Sequence, residues 1–161
     1  MKVLFIAGSS FVAVVAQMIA GNSFFIFNFL DLSLILVAYW AIYRHRTQAL
    51  FVGSTVGLLQ DALLGWPLGY NGFGKTIAAF VIGQAAKRFN IEGPWIRFAL
   101  ISAASFLNAL SMLLLFLLLQ RNVSVIFVGA SLMQSIITGG GGVLLFIALD
   151  AYKRTHTDKV S

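Results

Sequence analysis

Apolar runs of near-spanning length recur along this chain with almost nothing between them, and this rhythm limits the fold before any single residue does. A helix that crosses the ~30 Å hydrocarbon core of a bilayer needs about 20 mostly apolar residues, because each residue rises about 1.5 Å. Such runs are read at residues 3–20, 31–43, 48–64, 73–86, 95–119 and 123–150. Six spans of that length consume roughly 120 residues, and of the 161 present only a few short connections and the ends are left. No soluble domain fits beside them. The composition agrees, since 60% of residues are apolar and 10% charged, where soluble domains carry about a quarter charged. The expected fold is all-α, a polytopic membrane bundle of about six helices in a single domain, with no internal repeat.

The boundaries follow from local chemistry. The first run, VLFIAGSSFVAVVAQMIA, resembles a secretory leader with Ala20 as a cleavage point, but the later helices need no cleaved leader to insert, so it is read as a span. The second is preceded by SFFIFNFL, four phenylalanines in eight residues. Asp31 suits a helix start, where it accepts from unpaired N–H groups and meets the positive end of the dipole. That leaves 32–43 short for a crossing, so residues 23–30 are expected at the interface or re-entering against the bundle. Gly and Pro in GWPLGYNG stop the third helix. Inside the sixth, GGGG at 139–142 costs about 1 kcal/mol per glycine in helix propensity, which implies a kink or a neighbour packed very close.

Charge sets orientation and excludes some partners. Over six spans, Lys2, Arg44, Arg46, Lys87, Arg88, Arg97, Lys153, Arg154 and Lys159 gather on one side, and Lys75 and Arg121 on the other. Cytoplasmic loops are enriched in these residues, so both termini are expected in the cytoplasm. The basic residues form short clusters between apolar runs instead of one stripe, which points away from nucleic acid and toward anionic membrane lipids. Cysteine is absent, and His45 and His156 lie among basic residues near helix ends without ligand partners. No metal, cofactor or thiol chemistry is expected.

Residues 69–76, GYNGFGKT, spell the phosphate-loop pattern G-x-x-x-x-G-K-[ST]. That pattern works when a buried strand delivers the loop to a helix N-terminus, with acidic residues holding magnesium. Here a helix-length run precedes it and the five acidic residues are dispersed, so no nucleotide is expected. The segment reads as a tight outer turn, with Lys75 at the interface. Gly53, Gly57, Asp61 and Gly65 follow one another at i+4 on one helix face, where small residues admit a close neighbour. A carboxylate in a span needs a partner or water, and Lys75 is the one cation in sequence reach of Asp61. A structural pair fixing the hairpin is the leading expectation, with a partner contact or a proton relay as alternatives. The amides Gln17, Gln60, Gln84, Asn108 and Gln134 are expected to bond between helices.

Gly53, Gly57, Asp61, Gly65 and Gly69, followed by Asn71, Gly72 and Phe73, together with an acid opening the helix before LSLILVAYW, make the chain resemble the MreD family of bacterial rod shape-determining membrane proteins. Length and hydropathy agree along the whole chain, and the specific residues lie between about 31 and 88. Members often have proline before the helix-opening acid or amide, where Leu30 stands here. The resemblance implies a fold like the S components of energy-coupling-factor transporters. It also implies a place beside bitopic MreC, the actin-like MreB, RodA and a class B transpeptidase in the cell-elongation machinery. It implies no catalytic residues.

Three functions compete on this reading. A non-catalytic scaffold binding MreC accounts for the scarcity of convergent reactive groups, with Gly53, Gly57, Asp61, Gly65, Gly69, Asn71, Lys75 and Asn108 as structural or partner-contact candidates. An S-component-like solute-binding subunit would line an outward cavity with Asp61, Asn71 and Asn108. A membrane enzyme would need convergent acid, base or nucleophile groups, and the sequence offers only isolated ones.

Overall fold

A computed structural model of the protein describes residues 2–23, 29–89, 91, 93–119 and 125–157, and among these every regular element is helical. The helices are α1 (Lys2–Ser23), α2 (Leu32–Tyr43), α3 (Arg46–Leu64), α4 (Tyr70–Arg88), α5 (Pro94–Leu118) and α6 (Val125–Thr157). Most of the Phe-rich lead-in, residues 24–28, lies outside the described residues, as do Arg121 and Lys159 and the side chains of Lys2, Lys153, Arg154 and His156.

The ends of the helices have local causes. Asp31 caps α2, its side chain accepting from the Leu34 N–H. Gly65, in the left-handed region at φ 68°, ends α3 with its N–H on the Asp61 carbonyl, a closure that a residue without Cβ makes at least cost. Pro94 opens α5, where its missing N–H is no loss. The expected outer turn is shorter than the sequence suggested. α4 begins at Tyr70 instead of residue 73, so Asn71, Gly72 and Lys75 belong to its first turns.

α2 sits in the middle and touches the other five helices, which follow one another around it in the order α1, α3, α4, α5, α6. Among the described residues α1 and α6 do not touch, so the ring is open there. A central position explains why LSLILVAYWAIY is apolar nearly all round. Leu34, Ile35, Val37, Ala38, Trp40 and Ala41 are all buried. Outward, large apolar side chains such as Phe11, Phe51, Phe106, Leu117, Ile136 and Leu144 are exposed, an exterior suited to hydrocarbon and costly against water. α5 as a whole, and residues 129–151 of α6, are long and apolar enough to cross a membrane.

Glycines set the spacing of the bundle. A Cβ on Gly53 would lie 2.7 Å from the Lys75 carbonyl oxygen, and one on Gly57 would collide with the Gly72 backbone. α3 and α4 therefore meet backbone to backbone, as the i+4 spacing of small residues foretold. Gly139, Gly141 and Gly142 press on Ser102 and Phe98, Leu30, and Ile101 respectively, while a Cβ on Gly140 would meet no neighbouring group within 4 Å. α6 runs helical through all four, so close neighbours account for three of these glycines.

Candidate functional site

Three of the charged groups buried among the described residues, Asp31, Asp61 and Lys75, gather at the start of α2 and the start of α4. An α-helix leaves its first four N–H groups unpaired, and in an apolar interior each must find an acceptor. At α2 the acceptor is Asp31, whose Oδ1 takes the Leu34 N–H at 2.9 Å and lies 2.5 Å from the Ser33 hydroxyl. The resulting charge needs a counter-ion. Lys75 Nζ supplies it, 2.8 Å from Asp31 Oδ2, with side-chain exposures of 0% and 2%.

Neighbouring helices complete the polar shell. The Asp31 N–H donates to Thr138 Oγ1 on α6, and that hydroxyl donates to the Phe29 carbonyl. The Ser33 N–H donates to Gln17 Oε1 on α1, and the Ser33 hydroxyl lies 3.1 Å from Gln60 Oε1 on α3. One hydroxyl proton cannot serve both Asp31 and Gln60, so Gln60 completes the set when its amide is turned to offer N–H, an assignment that bonding decides. Five helices thus converge on Asp31.

Asp61 does a parallel task at α4. That helix opens on Gly69, which has no side chain to cap it. From the preceding helix, Asp61 Oδ2 accepts the Gly69 N–H at 2.8 Å, both carboxylate oxygens share the Asn71 N–H at 3.1 Å, and Oδ1 takes Asn71 Nδ2 at 2.9 Å. A carboxylate at a helix N-terminus also meets the favourable end of the dipole. The expected Asp61–Lys75 pair is therefore corrected: Asp61 is spent on the backbone of α4, and Lys75 reaches across to Asp31. The placement of Lys75 at the interface is corrected with it, because Lys75 is fully buried.

Of the other sequence candidates, Gly53 and Gly57 hold α3 against α4, and Gly65 and Gly69 end and begin the two helices at φ 68° and 103°. Asn108 stands apart on α5, where its side chain fills the space left by the missing side chain of Gly74, and its Oδ1 has no hydrogen-bond partner. The phosphate-loop spelling is helix, with Gly72 and Gly74 turned to Leu58 and Asn108. Ser33 and Thr138 lie outside the sequence candidates. The position of Ser33, two residues after a helix-capping acid, was the available signal for the first; Thr138 carried none.

A second polar knot closes the other end of α2. Arg97 on α5 donates through Nη1 to Asp150 Oδ2 at 2.6 Å, through Nε to the Ile91 carbonyl at 2.8 Å and through Nη2 to the Tyr43 hydroxyl at 3.3 Å. Its guanidinium lies 5.4 Å from the ring centre of buried Phe146, which stacks with Tyr43. Chemically, both knots hold helices together: each carboxylate faces a cation or backbone N–H groups already in place.

The model of one protein family, described as rod shape-determining protein MreD, matches residues 1–155 of the chain. No curated protein and no solved structure matches it.

Proposed function

Since the chain belongs to the MreD family of rod shape-determining proteins, we propose that it serves rod-shape determination as a non-catalytic membrane scaffold, binding MreC and supporting lateral peptidoglycan synthesis. The bundle crosses the bacterial inner membrane six times with both termini in the cytoplasm, in an arrangement like that of energy-coupling-factor S components. MreB, RodA and a class B transpeptidase are the further partners of such an assembly.

One observation carries this reading beyond family membership: the buried charged groups are engaged in joining helices. Asp31 and Lys75 hold each other, and Asp61 holds the start of α4. The same observation weakens the solute-binding alternative, because Asp61 and Asn71, two of the three residues that motivated it, are bonded to each other.

The test is copurification and depletion. Tagged protein extracted in mild detergent should bring down a bitopic coiled-coil partner, and depletion from a rod-shaped cell should make it round. Failure of both results rejects the proposal. Resistance of the chain to alkaline carbonate extraction checks the membrane placement separately.

A further inference from the structure

We infer that the end of the bundle formed by the α2–α3 connection and the last turn of α4 is a docking surface for the headgroup of an anionic glycerophospholipid. The inference rests on the membrane placement proposed above. Several contacts put the relevant elements at one end: Arg46 at the start of α3 lies over Phe80 of α4, Gly83 faces the Ala41 carbonyl, and Arg97 at the start of α5 joins Tyr43 at the end of α2 to Asp150 on α6. Among the described side chains, this end carries Arg44, Arg46, Lys87, Arg88 and Arg97 with the single acid Asp150, five positive charges against one, a net of +4. The opposite end holds Lys75 with Asp31 and Asp61, one positive against two negative, a net of −1. The net positive charge of the described residues therefore lies at this end.

The charges there are arranged as well as numerous. The Arg46 guanidinium sits 4.2 Å from the centre of the Phe80 ring, and that of Arg44 sits 5.8 Å from the Trp40 ring. Stacking holds a guanidinium by its face and leaves its N–H edge able to grip phosphate. Lys87 follows Phe80 by seven residues, which returns it to the same face of α4 about 10 Å further along, and helical side chains lean back toward the N-terminus. Lys87 thus shares with exposed Gln84 the face of α4 whose Phe80 lies under Arg46. Arg44, Lys87 and Arg88 are exposed, and Asp150, the carboxylate described at this end, is already held by Arg97. Exposed Phe89 follows Arg88 at the end of α4 and exposed Trp95 stands at the start of α5, residue types enriched at headgroup depth. A phosphodiester with its acyl chains along the apolar exterior of α3 and α4 matches both features.

The experiment uses the full chain in mild detergent, titrated with phosphatidylglycerol or with phosphatidylcholine of the same chains, and native mass spectrometry counts retained lipid. Wild-type protein should retain phosphatidylglycerol in preference. Arg44→Gln with Arg46→Gln, and separately Lys87→Gln with Arg88→Gln, should each lower that preference by about fivefold per charge removed. Arg121→Gln, three residues after α5 in the sequence and apart from this basic group, should leave it unchanged. Equal retention of the two lipids by wild type, or an undiminished preference in both double variants, overturns the inference. Variants that resist carbonate extraction yet keep the preference refute the lipid surface while leaving the membrane placement standing.

Discussion

The pairing of Lys75 with Asp31 makes a quantitative prediction that separates it from the pairing suggested by sequence proximity. At 2.8 Å and an effective dielectric near 20, the Coulomb attraction is about 6 kcal/mol before desolvation. Breaking such a pair from one side costs about 3–5 kcal/mol, because the surviving charge stays buried. The two sides differ. Lys75→Met leaves Asp31 with the Leu34 N–H and Ser33 hydroxyl, so its cost falls near the lower figure. Asp31→Asn leaves an ammonium one turn inside the positive end of α4 without its anion, and falls near the upper one. The double variant removes both charges and should recover about 3 kcal/mol relative to the sum of the single variants. Equilibrium unfolding in detergent micelles measures the cycle, and Asp61→Asn combined with Lys75→Met supplies the comparison. Additivity of the Asp31 and Lys75 variants within about 0.5 kcal/mol, or a larger coupling to Asp61, refutes the assignment.

Other outcomes follow from the same contacts. Gly57→Ala sets a methyl against the Gly72 backbone and should cost about 3 kcal/mol or more in unfolding experiments, since the obstacle is main chain and cannot rotate away. Gly140→Ala, with open space around it, should be neutral or stabilising by up to about 1 kcal/mol. Asp61→Asn keeps one acceptor oxygen but puts an N–H donor where the other faced the Gly69 and Asn71 N–H groups; it should cost about 1–3 kcal/mol and raise hydrogen exchange at residues 69–72 before other helices respond. Asp150→Asn should cost clearly less than Asp31→Asn in the same assay, because its side chain is 34% exposed and solvent screens the pair.

Hydropathy made the helices legible, since runs of that length have few alternatives, and the i+4 stripe of Gly53, Gly57 and Asp61 pointed to a close neighbour, which the structure shows to be α4. Asp31 could be read as a cap because Ser, Thr, Asn and Asp before an apolar run act locally. Its ion pair could not. Lys75 lies fourteen residues from Asp61 and forty-four from Asp31, and sequence distance carries no information about which helix stands opposite. The start of α4 is hidden in the sequence for a related reason: Gly and Asn before Phe73 look like turn residues, and the carboxylate of Asp61, delivered from the preceding helix, takes the Gly69 and Asn71 N–H groups around a helix that begins at Tyr70. Thr138 entered the network through packing, with a neighbour more than a hundred residues away.

The position of the first polar knot follows from where α2 begins. Its opening residues Asp31 and Ser33 are buried in the bundle, so the N–H groups that a helix start leaves unpaired must find partners within the protein. At the first end, Asp31 satisfies N–H groups, its charge calls for Lys75, and Lys75 must come from a helix close enough to deliver it without exposure. The glycines of α3 that let α4 approach are what bring it there: Gly53 lies against the carbonyl of Lys75 itself. At the other end Tyr43 is held by Arg97, which Asp150 fixes in turn. A short helix tied at both ends by its neighbours cannot slide or tilt independently of them, so the bundle resists deformation about its centre. Lys75→Met and Gly57→Ala should loosen that tie by different routes, the first by leaving Asp31 without its cation and the second by forcing α4 away from α3.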